Sequence, residues 1–240
     1  MIRKIYRILF SEDLRISIRQ KLIIPGNNLF RKIIGQQAKD VFEDIYIANS
    51  WGSEESVSGS GSEISKTIDL IKYLNELLRE YNIESVFDIP CGDFNWMKEV
   101  DLTNVKYTGG DIVPNLIHRN QTKYNMDWIS FSCHNLITDK IDKSYDLVLT
   151  RDCLVHLSYS DIERSITNIK KSQSKYLLTT SFIKTTKNMD IVTGEWRPIN
   201  LNLAPFNFPE PIKTFIETNT EEGWEGNKVM NLYVISEIRI

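Results

Sequence analysis

Four polar side chains fall at or just after the ends of successive candidate strands. Asp88 closes the run 85–89, Asp111 closes 106–111, Asn135 follows 128–134 and Asp152 follows 144–150. Such residues sit where a parallel sheet opens to ligand, and there a carboxylate can hold an amino group or accept from ribose hydroxyls. Any one of them could instead cap a following helix. Four in succession make capping a poorer account of the set. Gly92 lies just past Asp88 in Pro90-Cys91-Gly92-Asp93-Phe94, where a tight loop would let a ligand approach the backbone. Asp152 and His156 are the candidates for moving a proton, although His156 could equally serve only to orient its loop.

The pattern favours a nucleoside without a phosphate chain. A dinucleotide site wants G-x-G-x-x-G, and the Asp88 loop has one glycine. The P-loop lysine motif is absent too. S-adenosyl-L-methionine fits: Asp88 or its neighbours suit its amino group, Asp111 its ribose hydroxyls, and Gly92 lets the methionine part pass. His134 falls where it could lie beside adenine.

Two further segments offer acceptor contacts. Residues 49–62 (Asn-Ser-Trp51-Gly-Ser-Glu-Glu-Ser-Val-Ser58-Gly-Ser60-Gly-Ser) read either as a flexible linker with a Ser60/Glu63 capping box or as a loop closing on substrate or cofactor. Residues 187–209 form a long segment rich in aromatics, amides and proline. Insertions of this length in compact domains usually carry function. Arg197 is expected to pair with a phosphate or carboxylate, beside Asn188, Trp196 and Asn200.

These residues need a scaffold. Candidate strands cover 85–89, 106–111, 128–134, 144–150, 176–182, 214–218 and 229–235. Candidate helices cover 95–100, 114–125, 160–172 and part of 209–217. A helix after the Ser/Gly loop is expected to bury Ile64, Ile68, Ile71, Leu74, Leu78 and Tyr81. Alternating strand and helix implies an α/β fold with a mainly parallel sheet. The last two strands lack a long helix between them, so an antiparallel closing pair is expected. Residues 1–48 read as an N-terminal helical accessory segment, with an amphipathic helix at 29–48, and 49–240 as the S-adenosylmethionine-binding domain. The accessory segment is a packed helix pair, a lid, or a basic surface for an anionic partner.

Bulk numbers narrow the class. The chain has 240 residues, 41% hydrophobic and 25% charged, ordinary for a globular protein. Its net charge is −3, with +6 in residues 1–36 and −9 in the rest. That balance gives no phosphate-tracking surface outside 1–36, so nucleic acid is not the expected partner; weak peripheral contact through 1–36 is the most a membrane would receive. No apolar stretch approaches the ~20 residues of a span, and the N-terminus lacks the apolar core and cleavage site of a signal peptide. Three cysteines without CxxC spacing suit a reducing, cytoplasmic setting. Cys91, Cys133 and Cys153 fall near strand ends, where small buried thiols are expected in preference to a metal site.

Val86-Phe87-Asp88-Ile89-Pro90-Cys91-Gly92-Asp93-Phe94, Asp111, His134-Asn135 and Tyr145-Asp146 through Arg151-Asp152-Cys153-Leu154-Val155-His156 together resemble the class I S-adenosylmethionine-dependent methyltransferases. Pro90 and Phe94 replace two frequent glycines of that family, and Asn135 a frequent aspartate. The resemblance implies a three-layer Rossmann-like fold with a seven-stranded, mainly parallel sheet and an antiparallel closing strand. It also implies a cofactor site at Asp88, Pro90, Cys91, Gly92, Phe94, Trp96, Asp111, Ile112, Asn135, Leu136 and Arg151, catalysis by Asp152 and His156, and acceptor contacts from Trp51, Ser58, Ser60, Asn188, Trp196, Arg197 and Asn200. No metal is implied. The loops at 51–62, 88–94, 151–157 and 196–201 further resemble a bacterial subgroup associated with capsule polysaccharide and other surface glycans. The acceptor would then be a small polar or anionic molecule, a sugar or a glycan-linked phosphate or phosphoramidate. The rival readings are methylation of nucleic acid or protein, and a non-catalytic scaffold.

Overall fold

A computed structural model of the chain describes residues 37–220 and 223–239. The basic segment 1–36, and the part of the 29–48 helix that falls in it, lie outside the described residues. The elements in chain order are α1 (Ala38–Ile47), α2 (Ile64–Glu80), β1 (Ser85–Asp88), β2 (Lys106–Asp111), α3 (Pro114–Tyr124), β3 (Ile129–Cys133), β4 (Leu147–Thr150), α4 (Tyr159–Lys171), β5 (Tyr176–Phe182), β6 (Lys213–Ile216) and β7 (Lys228–Val234). They build one seven-stranded sheet in the order β3-β2-β1-β4-β5-β7-β6. Strands β1 to β5 are parallel, and β7 runs antiparallel to both β5 and β6. The closing strand is therefore inserted between its neighbours. This is the Rossmann-like architecture of class I methyltransferases.

The two-residue period of the strands builds the layers. Val86, Leu147, Leu149, Leu178 and Leu232 point into one core with Leu70, Leu74 and Leu77 of α2. Phe87, Val148, Leu177 and Tyr233 point into the other, against Ile162, Ile166 and Ile169 of α4. Every residue of β4 is buried, as a central parallel strand covered on both faces requires. Pro114 opens α3 at a position where the missing N–H has no intrahelical partner anyway. Ser158 caps α4, accepting from the Asp161 amide, while Lys170 and Lys171 complement the negative end of the helix.

Several sequence expectations need correcting. The 95–100 helix is a single 3-10 turn, Met97–Glu99. The 209–217 segment holds strand β6 and no helix, since Pro209 and Pro211 break any helical hydrogen bonding there. The buried stripe of α2 is Thr67, Leu70, Tyr73, Leu74, Leu77 and Leu78, and Ile68 is exposed. Leu74 and Leu78 of the expected stripe are buried, and Ile64, Ile71 and Tyr81 pack half-buried at its edge, so of the set Ile68 alone turns away from the core. No Ser60/Glu63 box forms: Glu63 is the N-cap residue, and the first free amide, Ile64, is taken by the Glu55 carboxylate. Cys91 is buried, Cys153 half-buried and Cys133 exposed, so the three thiols are not one buried set.

Candidate active site

Strand order reverses around β1, whose neighbours are β2 and β4, and ligands of open α/β sheets bind beyond the strand ends at such a point. A cavity lies there. The strand-end loops contribute Asp88, Pro90, Cys91, Gly92, Trp96, Asp111, Ile112, Asn135, Leu136, Arg151, Asp152 and His156. The Ser/Gly loop adds Trp51 and Ser58, so it is no free linker.

Asp88 is buried at the floor and accepts from the Tyr107 hydroxyl at 2.6 Å. Burial pushes its pKa up to about 7, the Tyr107 hydrogen bond opposing and the nearby Asp111 charge adding to it. A buried carboxylate with so little compensation invites a cation. Asp111 accepts from the amides of Gly92 (3.2 Å) and Val113 (3.0 Å). Burial raises it to about 6 despite those bonds. Gly92 adopts φ +54°, and a Cβ there would lie 2.1 Å from Ser58 Oγ, so the two loops touch backbone to side chain. Phe94 takes φ +60°, which explains why a glycine is frequent at its place in the family it resembles. Its ring turns into the core against Tyr107, Tyr124 and Phe131 and does not line the cavity, contrary to expectation.

The loop 51–62 is latched onto the Asp88 loop. Asp93 accepts from Ser56 Oγ (2.9 Å) and the Val57 amide (3.0 Å), and its own amide donates to Ser58 Oγ. Asn95 Nδ2 donates to Glu55 at 2.7 Å. Ser60 sits in the 3-10 turn Ser60–Ser62 and does not line the cavity. Phe42 and Tyr46 of α1 complete the wall, and Arg119 of α3 holds the Tyr46 hydroxyl at 3.2 Å. Sequence reading did not single out these two. An amphipathic helix reveals a buried face, but not what that face covers.

The β4 end is a charge network. Arg151 donates to Glu217 through Nη2 (2.7 Å) and Nε (3.3 Å), and Lys228 Nζ lies 2.6 Å from Asp152 Oδ2. Asp152 sits at φ +51°, its amide donating to Thr180 Oγ1. Burial pushes the Asp152 carboxyl up, but Lys228 and Arg151 outweigh it and hold it well below the usual range. It is thus a fixed anion and a poor base. Glu217 and Lys228 are 66 and 76 residues from their partners, a separation no local motif reports. Arg151 lines the cavity with its head tied to Glu217.

His156 is placed differently. Its Nδ1 lies 2.8 Å from the Glu195 carbonyl, which can only accept, so Nδ1 carries the proton. Nε2 makes no hydrogen bond with the described residues, and the ring packs on Trp51 at 5.4 Å between centroids. Burial lowers its pKa, with the Glu195 bond and Asp152 opposing. A neutral imidazole with a bare Nε2 is poised to accept a proton. His134 also lines the cavity, its Nε2 buried and without a hydrogen-bond partner among the described residues.

The insertion does not reach the cavity. Arg197 is buried, and its guanidinium donates to the carbonyls of Leu154 (2.8 Å), Leu157 (2.7 Å) and Met189 (3.2 Å). Asn188 bonds the carbonyls of Asn200 and Ala204, and Asn200 that of Thr185. Trp196, an expected acceptor contact, packs edge-on to Phe182 and Trp224 and does not line the cavity. The expected acceptor contacts of Asn188, Arg197 and Asn200 are therefore tertiary ties, because each polar head already faces backbone carbonyls.

The residues present suit S-adenosylmethionine. Two buried carboxylates face the cavity, Gly92 admits close approach, and an orphaned ring nitrogen at His134 awaits a partner. No family model matches the chain, and no curated protein matches it in sequence. Solved structures do. The N-methyltransferase NodS from Bradyrhizobium japonicum WM9, in complex with S-adenosyl-L-homocysteine, superposes with TM-score 0.58 at 13% identity, over 79% of this chain and 97% of NodS. Magnesium protoporphyrin IX methyltransferase (ChlM) from Synechocystis PCC 6803 gives TM-score 0.55 at 11% identity, over 82% and 99%. The methyltransferase domain of bacterial CtHen1-C gives 0.52 at 14%, over 69% and 96%.

Proposed function

We propose that the chain is an S-adenosylmethionine-dependent methyltransferase, and that it methylates a hydroxyl oxygen of a small polar acceptor. The observation that carries this reading is the cavity at the strand ends, floored by the buried pair Asp88 and Asp111 and walled by an Nδ1-protonated His156. When bound, the cofactor supplies a methyl group on a cationic sulfur, open to in-line displacement. Asp88 holds the amino group and Asp111 the ribose hydroxyls. His134 and Asn135 flank the base. The Ser/Gly loop, Trp51 and α1 exclude water, which strengthens every charge interaction inside.

On the acceptor side His156 Nε2 would take the proton of the acceptor hydroxyl, whose oxygen would receive the methyl group that the cofactor supplies. Asp152, fixed as an anion, faces the positive charge that develops on the imidazole. The cavity favours a neutral acceptor over an anionic one. Among its described lining residues the only lysine or arginine is Arg151, which is already paired. A sugar or other glycan-linked hydroxyl is the acceptor to test first, on the sequence resemblance, and a cytoplasmic location belongs to the same proposal. No described helix is long and apolar enough to cross a membrane.

The test is transfer of labelled methyl to a panel of sugars, nucleotide sugars, phosphorylated and phosphoramidate-bearing acceptors, RNA and protein. Label on a neutral hydroxyl, abolished by His156→Gln, is the expected result. Label confined to RNA or protein would replace the acceptor, and cofactor binding without transfer to any would favour a scaffold.

A further inference from the structure

The turn that carries His156 is a 3-10 turn, Leu154–His156, and its carbonyls are satisfied from one place. Leu154 O accepts from Arg197 Nη1 (2.8 Å), Val155 O from the Arg197 amide (3.1 Å), His156 O from the Gly194 amide (2.8 Å) and Leu157 O from Arg197 Nη2 (2.7 Å). The His156 ring itself donates to the next carbonyl of that segment, Glu195 O. Residues 194–197 thus act as a template for four consecutive carbonyls and the imidazole.

The Arg197 cation at the centre has no carboxylate within ion-pair distance among the described residues. The face of Tyr159, 5.8 Å from the guanidinium carbon, adds to the carbonyls, and the Asp190 carboxylate favours the cation from beyond ion-pair distance. Burying a cation without a directly paired carboxylate is unfavourable, and a surface-capping role would not require it. A planar fork that bonds two carbonyls of one turn and a third from Met189 is something lysine cannot reproduce. The positive charge also opposes protonation of the ring. His156 is faced by Asp152 from its own loop, by Lys228 from β7 and by Arg197 from the insertion. Asp152 favours the imidazolium, and the two cations oppose it.

We infer that Arg197 is a positioning residue, which holds His156 in the Nδ1–H tautomer with Nε2 free for the acceptor proton. This rests on the proposed methyltransferase reading for its purpose, but its geometry is testable without an acceptor. The insertion 187–209 then serves the reaction through the base and not through the substrate.

The experiment is histidine-labelled nitrogen NMR of the full chain, in wild type, R197K and R197Q. The chain has three histidines, and H156Q assigns the signal. Wild-type His156 is expected as the neutral Nδ1–H form at pH 7, with a midpoint below that of an ordinary histidine. R197Q should mix the tautomers and raise the midpoint by roughly half to one pH unit, since a nearby like charge is removed. R197K should keep the low midpoint but lose the single tautomer. A wild-type ring protonated on Nε2, or unchanged tautomer and midpoint in the folded variants, overturns the inference. If neither variant folds, exchange of the wild-type Gly194 and Arg197 amides decides: strong protection supports the template, and free exchange rejects it. S-adenosylhomocysteine binding is measured alongside. Its failure in wild type would defeat the methyltransferase reading and leave the tautomer result standing.

Discussion

Asp88→Asn should make the empty protein more stable while weakening its hold on the cofactor. In the folded chain burial raises Asp88 from an ordinary 3.8 to about 7. A group whose folded pKa is raised contributes nothing unfavourable while both states are protonated, below the unfolded value. As pH rises the unfolded chain ionises first and draws the equilibrium away from the fold. The penalty grows from pH 4 to 7 and is constant above. At ~1.36 kcal/mol per pKa unit its ceiling is about 4 kcal/mol, and at pH 5.5 it is about 2 kcal/mol. Asparagine keeps the acceptor for Tyr107 and never ionises. Urea denaturation without ligand should therefore give curves for wild type and D88N that coincide near pH 4 and separate by up to about 4 kcal/mol at pH 8, D88N being the more stable. The same variant should bind S-adenosylhomocysteine at least ~10-fold more weakly, having lost a charge-assisted hydrogen bond. Equal stabilities at pH 8, or a wild type that gains on D88N as pH rises, would refute the buried-carboxylate argument.

His156→Gln should lower turnover by ~10²–10⁴-fold. In wild type the rate should fall as pH drops through the depressed histidine value, measured as a pH profile of methyl transfer. Gly92→Ala should destabilise the fold and loosen cofactor binding, because its Cβ would meet Ser58 Oγ at 2.1 Å and φ is +54°; S58G in the same chain should recover part of the melting temperature. Lys228→Met leaves Asp152 with only the longer Arg151 contact, at 3.5 Å. It should cost about 1–3 kcal/mol in denaturant unfolding, the range of a lost charge-assisted hydrogen bond, with a double-mutant cycle against D152N returning much of it.

The parallel half of the fold was legible because candidate strands alternate with helical patterns and a polar residue stands at or just after four of the strand ends. Asp88, Asp111, Asn135 and Asp152 mark those ends, and they do converge on one cavity. The rest of the cavity wall was half legible: His156 was visible, while Phe42 and Tyr46 belong to a helix whose periodicity says nothing of its target. Arg197 shows the limit most clearly. Arginine in an aromatic, amide-rich insertion has the composition of a ligand clamp. Only the fold reveals that its donors meet Leu154, Leu157 and Met189. Backbone carbonyls carry no sequence signature, so a side chain that serves them looks the same as one that serves a ligand. For the same reason, the Glu217–Arg151 and Lys228–Asp152 pairs, contributed by strands joined late in the chain, were invisible.

The decisive measurement is calorimetric titration of the full chain with S-adenosylmethionine at pH 7, repeated in buffers of different ionisation heat. One cofactor per chain should bind and release about half a proton, since a cation beside Asp88 drives off the proton that this group half-retains at its value of about 7. Asp111→Ala should lose the tight binding. A folded sample that gives no heat, or binding that D111A and D88N leave intact, would contradict the site.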